Sequence, residues 1–183
     1  MGTVQSPTPV LLLIAVTSRY VEALEWAQSR AAATYGPIVS ASEAFDFTET
    51  EYYTATMGSG LKKQFLAFER LIGPALLATS KVATNEWEAN YAAAADHLET
   101  RPLNLDPGYI TPAKLVLAST KDHAHRIYLA EGIYAEVTLS YRARRWQALD
   151  WTYPDYRRDD FQAFFTQCRA WLLNCGPNQP AVR

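Results

Sequence analysis

Apolar residues in this chain fall into one unbroken run, several period-2 runs and three runs at helical spacing. Leu11 to Val16 is apolar throughout, the pattern of a strand covered on both faces. Thr17-Ser18 then gives a helix-start signal, and Val21, Leu24, Ala27, Ala31 and Tyr35 follow at helical spacing up to Gly36-Pro37. Residues 38–47 and 51–57 read as extended segments joined by the acidic loop Thr48-Glu49-Thr50, and Gly58-Ser59-Gly60 breaks the run. Residues 62–71 resume as a strand. Gly73-Pro74 opens a long helix with Leu77, Lys81 or Val82, Thr84, Trp87 and Tyr91 near one stripe.

Beyond Arg101-Pro102, the run Leu103-Asn104-Leu105-Asp106 alternates, with the leucines on one face and Asn104 and Asp106 on the other. Asp106-Pro107-Gly108-Tyr109 carries the proline and glycine of a type II turn, and a strand over 114–120 follows. Ile127, Leu129, Ile133, Ala135, Val137, Leu139 and Tyr141 then share one face around a Glu131-Gly132 turn, leaving Arg126, Tyr128, Tyr134, Glu136 and Thr138 on the other. Asp159 or Asp160 caps a last helix with Phe161, Phe164, Phe165, Cys168, Trp171 and Leu172 as a wide apolar stripe. The pattern predicts an α+β fold: a ferredoxin-like β-α-β-β-α-β core extended by further antiparallel strands and a C-terminal helix. In it the helices cover one sheet face, and the first two strands are parallel neighbours through the first helix.

Length sets the number of cores. With 183 residues and 20.5 kDa the chain reads as a single domain over 1–183, with 1–8 and 174–183 as loosely held tails. Apolar residues at 49% and charged residues at 20% exclude a disordered or membrane-spanning composition. Seventeen basic against nineteen acidic side chains provide no bulk field for nucleic acid or an anionic membrane. Cys168 and Cys175 lie seven apart, unlike a CxxC pair or a disulfide framework, and fit a reduced, cytoplasmic protein. The run Pro9 to Val16 lacks the basic flank and cleavage site of a secretory leader. Met1-Gly2-Thr3-Val4-Gln5-Ser6 matches a myristoylation pattern short enough to arise by chance.

The string Asn104-Leu105-Asp106-Pro107-Gly108-Tyr109, then Lys114 to Asp122, His125 to Leu129 and Gly132 to Val137, resembles a bacterial and archaeal family catalogued as domain of unknown function 4416, whose marker is the NLDPGY motif. Tyr52-Tyr53, Met57-Gly58, Lys81 with Thr84-Asn85, and Thr152-Tyr153-Pro154-Asp155-Tyr156 extend the likeness over nearly the whole chain. The resemblance implies a prokaryotic, single-domain protein of about this length and no particular reaction.

Candidate chemistry therefore rests on the residues. If the face bearing Asn104, Asp106, Arg126 and Glu136 is solvated, its polarity needs no further cause. If it is covered, it is a site, with Asp106, His125 and Glu136 as acid, base or catalytic groups. Asn104, Tyr109, Lys114, Lys121 and Arg126 would then meet a ligand, Lys114 and Arg126 neutralising a phosphate or carboxylate. On the long helix Lys81, Asn85 and Glu88 share a face, which either meets solvent or closes a pocket over those strands. Met57-Gly58-Ser59-Gly60-Leu61-Lys62-Lys63 reads either as a hairpin loop or as a phosphate nest backed by Lys62, without a Walker spacing.

Asp122, His123 and His125 form the ligand set if a divalent metal is used; the alternative is a polar turn whose histidines hydrogen-bond locally. Arg142, Arg144, Arg145, Arg157 and Arg158, interleaved with Tyr141, Trp146, Trp151, Tyr153 and Tyr156 over 141–158, form the contrasting candidate, a nucleic-acid-binding segment. No nucleophile elbow or Cys/His pair is present in the sequence. The favoured expectation is a small phosphate-bearing ligand, such as a nucleotide, with hydrolytic or phosphoryl chemistry as its extension. Nucleic-acid binding and a noncatalytic protein-interaction domain are the alternatives; no membrane partner is expected.

Overall fold

In the computed structural model, which describes residues 2–50 and 53–175, the apolar run becomes β1 (Leu11–Ser18), with all eight residues buried. Such a strand belongs at the centre of a sheet with both faces covered. Its neighbours are β4 (Lys62–Phe68) and β5 (Asn104–Ile110), both antiparallel to it. The short strands β2 (Ile38–Ala41) and β3 (Phe45–Asp46) pair with β4 on one side. On the other side come β6 (Lys114–Ser119), β8 (Ile133–Arg142) and β7 (Ile127–Ala130), with β9 (Arg145–Ala148) also on β8. Among the described residues these nine strands make one sheet, in the order β2-β4-β1-β5-β6-β8-β7 with β3 and β9 attached. Tyr52, Met1, residues 176–183 of the expected tail and the side chain of Cys175 lie outside the described residues.

Helices occupy both sides of this sheet. Helix α1 (Val21–Tyr35) and, after the single turn α2 (Thr54–Met57), helix α3 (Leu76–Ala94) press Ala23, Leu24, Ala27, Trp87 and Tyr91 onto Leu12, Ile14, Val16, Leu66 and Phe68. Helix α4 (Asp159–Cys175) presses Phe161, Phe164, Phe165, Cys168 and Leu172 onto the opposite face, against Leu11, Leu13, Phe65, Ile110 and Leu139. The expectation of helices on one face alone is thereby corrected, because the alternate residues of β1 are equally apolar and both sets demand cover. The first two strands are not neighbours either: β4 lies between them. The Cys168 thiol is buried and burial pushes it up to about 12, as in an inert packing residue. No helix among the described residues is long and apolar enough to cross a membrane.

Three local expectations also change. Residues 54–57 form α2 instead of an extended segment, since Met57 packs with Phe47 and Leu61 and Gly58 at φ 76 turns the chain away. Asp106-Pro107-Gly108-Tyr109 is not a turn but part of β5. The reversal comes later, where Thr111 Oγ1 accepts hydrogen bonds from the Ala113 and Lys114 amides at 3.1 and 3.0 Å. Gly108 is there for space: a Cβ on it would stand 2.4 Å from Val116 O and 2.7 Å from Leu117 Cδ2. Finally, the single apolar face expected across 133–141 switches. Val137 pairs with Val116 and Leu139 with Leu115, so one extra residue on β8 makes a bulge, sending Ile133 toward α3 and Leu139 toward α4.

Gly108→Ala should therefore destabilise the fold by about 1–3 kcal/mol through overpacking against β6. Gly73→Ala, whose Cβ meets nothing within 4 Å, should stay within about 0.5 kcal/mol of the parent. Urea melts of the two variants check this, and equal stabilities would contradict the close approach.

Candidate functional site

The site begins where two strands part. The β5–β6 ladder runs only from Ile110 to Gly108, opposite Leu115 to Leu117. Past it β5 continues to Asn104 beside β1, while β6 continues to Ser119 beside β8. Pro107, which has no N–H to offer a ladder, is the first residue beyond the pairing. A cavity of about 470 Å³ fills the opening. Asn104 and Asp106 line it from β5, Leu117 to Lys121 from β6 and its exit, and Glu136 from β8. Lys81 and Asn85 of α3 enter from one face of the sheet, and Tyr153, Asp155 and Tyr156 of the segment before α4 enter from the other. Phe47, Tyr53, Lys63 and Arg101 complete the wall.

Parity explains who reaches it. Lys63 shares the face of Phe65 and Ala67 on β4, and cross-strand pairing sets it beside Thr17 and, one strand further, Asn104. Asp106 occupies the next position of that face on β5, beside Ala15. Across β6, Leu117 pairs with Glu136. The polar strand face is therefore covered in part: Asn104, Arg126, Glu136 and Thr138 are buried, whereas Tyr134 is half-buried and Tyr128 exposed. The cover is the segment 149–158, tied down by Thr152 Oγ1 donating to Thr138 O at 2.5 Å and Trp151 Nε1 to Val137 O at 2.9 Å.

Burying charge here is offset by pairing. Lys63 Nζ meets Asp155 Oδ2 at 2.5 Å, both side chains less than a tenth exposed, and stands 4.1 Å from the Phe47 ring centre. Lys81 Nζ donates to Leu105 O at 2.7 Å and to Asp106 Oδ1 at 3.1 Å. Arg126 Nε donates to Glu136 Oε2 at 2.8 Å, and its terminal nitrogens donate to Ser119 Oγ, Lys121 O and Tyr153 Oη. Arg101 is held by Glu88 at 2.9 Å and donates to Asn104 Oδ1, whose amide donates to Asp106 Oδ2 at 2.7 Å.

These contacts set the protonation states. Burial pushes the Asp106 carboxyl up, but the Lys81 and Lys63 ammoniums and the Asn104 amide outweigh it and hold the group below the usual carboxylate range. Glu88 is raised by burial, against the pull of Lys81 and Arg101. Tyr53, Tyr153 and Tyr156 are all raised by burial first, and the charge of Asp106 adds to the rise in each. At neutral pH the wall thus presents an ionised Asp106 among neutral phenols.

Of the residues singled out in the sequence, the fold brings Asn104, Asp106, Lys81, Asn85, Lys121, His123, Arg126 and Glu136 into one wall. Glu88 joins them from behind, accepting from the Leu105 amide at 2.7 Å. His125 stands beside the wall with Nε2 3.1 Å from Glu136 Oε2 and its ring stacked on Trp151. Lys114 is exposed at the opposite end of β6, and Tyr109 packs between the clusters facing α1 and α3. Lys62 points away, paired with Asp46 at 2.7 Å. The lysine of that loop that enters is Lys63. Asp122 does not line the cavity, and among the described residues no group of three or more His, Cys, Asp or Glu side chains is placed to hold a metal ion. His123 and His125 stack on each other at 5.9 Å instead.

Sequence reasoning gave no site role to Tyr53, Arg101 or Asp155; it placed Tyr153 and Tyr156 only in the nucleic-acid segment and Lys63 only at the end of the loop backed by Lys62. One signal was available: a lysine in apolar register with Phe65 and Ala67 must find a buried partner. Nothing local marked Asp155 as that partner, 92 residues away.

A family model described as Domain of unknown function (DUF4416) matches residues 8–171, and the chain belongs to that family. No curated protein matches the chain. No solved structure matches it.

The lowered Asp106 predicts a pH signature. Its contribution to stability is complete above the unfolded value near 3.9 and is lost as pH falls through the lower folded-state value. Asp106→Asn should cost about 1–3 kcal/mol at pH 7, and the gap to the parent should close as pH drops below about 4. Urea melts across that range check it; a gap constant to the acid limit of folding would contradict the assignment.

Proposed function

We propose that this family member binds a small phosphate-bearing ligand, of mononucleotide size, in the cavity between β5 and β6. The observation that carries this reading is the convergence of Lys63, Lys81, Arg101, Lys121 and Arg126 on one concave site. Asp106, Glu136 and Asp155 in the same wall are each engaged by one of these cations, and Glu49 is engaged by Arg158 outside it. With Glu88 behind Arg101 the carboxylates nearly balance these cations, so the wall offers an anion paired cationic donors at close quarters, and its concavity suits a small molecule better than a polymer. Lys121 and His123 are exposed and Arg101 is partly so, which suits them to meet the phosphate at the mouth. For hydrolytic or phosphoryl chemistry, Asp106 is the carboxylate best suited: both it and Glu136 are bound by cations, but Asp106 is partly exposed to the cavity, whereas Glu136 is fully buried between Arg126 and His125.

The strand order β2-β4-β1-β5 with antiparallel neighbours, and α1 and α3 on one face, supports reading this part as a ferredoxin-like core. A nucleic-acid surface over 141–158 draws less support. Trp146 and Tyr156 are buried in the α4 core, Arg157 donates to the Leu149, Asp150 and Thr152 carbonyls, and Arg158 pairs with Glu49 and Asp160. A docking sheet face draws less support over the central strands, which are covered on both faces; among the described strands only the edge strand β7 presents large exposed apolar side chains, Ile127, Tyr128 and Leu129.

Inorganic phosphate should raise the melting temperature of the parent. The double variant Arg101→Ala with Lys121→Ala should lose that rise while keeping its fold by circular dichroism. A parent indifferent to phosphate and pyrophosphate, yet bound by single-stranded DNA with a steep salt dependence, would overturn the reading.

A further inference from the structure

At and behind the inner end of the cavity are hydrogen-bonding groups without a partner among the described residues. Tyr156 Oη belongs to the wall, and Thr17 Oγ1 lies buried behind it. Both flank Lys63: the Tyr156 ring centre lies 5.4 Å from Lys63 Nζ, and Thr17 stands between Lys63 and Asn104 across the three central strands. The ammonium makes one hydrogen bond, to Asp155 Oδ2, of the three it can donate. Groups buried this deeply are nearly always satisfied, so the corner calls for something the chain does not supply.

Its chemistry is mixed. Lys63 donates, the Asp155 carboxylate accepts, and the Tyr156 hydroxyl does either. A phosphate seated there would sit beside the Asp155 and Asp106 carboxylates, whereas a ligand hydroxyl can accept from Lys63 and donate to Asp155 at once. Phe47 and Tyr156, both against the Lys63 ammonium, add aromatic faces for the C–H side of a polyol. Resting on the phosphate reading above, we infer that the ligand is a phosphosugar, whose phosphate meets the cationic mouth while its hydroxyls occupy the Lys63 and Tyr156 corner.

Calorimetric titration with inorganic phosphate, ribose 5-phosphate and glucose 6-phosphate tests this on the full chain. At least one phosphosugar should bind about tenfold tighter than phosphate, the gain of one or two added hydrogen bonds. Tyr156→Phe should cut that preference about three- to tenfold, while Thr17→Val, outside the wall, should leave it unchanged. Because each removes a hydroxyl with no protein partner, neither should lower the melting temperature of the unliganded protein. Phosphate binding with no phosphosugar preference, or a preference untouched by Tyr156→Phe, would overturn the inference and leave the phosphate reading standing; the second result would mean that water satisfies the corner. No binding of any of the three would overturn both.

Discussion

A sheet admits a polar cavity through its own plane only where two adjacent strands cease to pair, and here that happens on the far side of Gly108. The glycine lets the Val116 carbonyl approach to a distance no side chain would tolerate, and Pro107 beside it has no donor to prolong the ladder. From that point β5 stays with β1 and β6 stays with β8. Lys81 therefore reaches Asp106 from the helix layer on one face, while Tyr156 and Asp155 reach the same space from the other. The NLDPGY stretch thus sets both the polar floor and the opening above it.

The second constraint is electrostatic. Lys63, Lys81 and Arg126 stand among apolar layers, and each is matched by a carboxylate from another element. Lys63 links β4 to the turn before α4, Lys81 links α3 to β5, and Arg126 links the β6–β7 loop to β8 and, through Tyr153, to the covering segment. Removing one partner would leave a buried charge uncompensated, which is far costlier than the net gain of forming the pair. The network thereby holds the covering segment on the sheet as well as shaping the wall. Under the proposed reading, recognition draws on the cationic groups nearest the opening, Arg101 and Lys121 at the mouth and Lys63 within.

Much of the scaffold was legible because it depends on periodicity. The stripe from Phe161 to Leu172, the continuous run in β1, the Leu103–Asp106 alternation and the grouping of Lys81, Asn85 and Glu88 all appear in the structure where spacing put them. Reading failed where a distant contact overrode a local signal. Asp-Pro-Gly is good turn chemistry, but the two flanking strands hold it extended. The β8 bulge changes which face Leu139 takes, and no residue type announces it. Within the arginine and aromatic mixture of 141–158, tertiary packing turns Trp146 and Tyr156 inward, which no local pattern marks. Lys63 and Asp155 meet across 92 positions, a pairing that only the fold can make.

The most direct measurement is a crystal structure of the protein grown with ribose 5-phosphate. The account predicts density for the sugar between β5 and β6, its phosphate toward Arg101 and Lys121 and a hydroxyl within hydrogen-bonding distance of Tyr156 Oη. A cavity holding only ordered water at saturating ligand, or the ligand bound elsewhere on the surface, would contradict it.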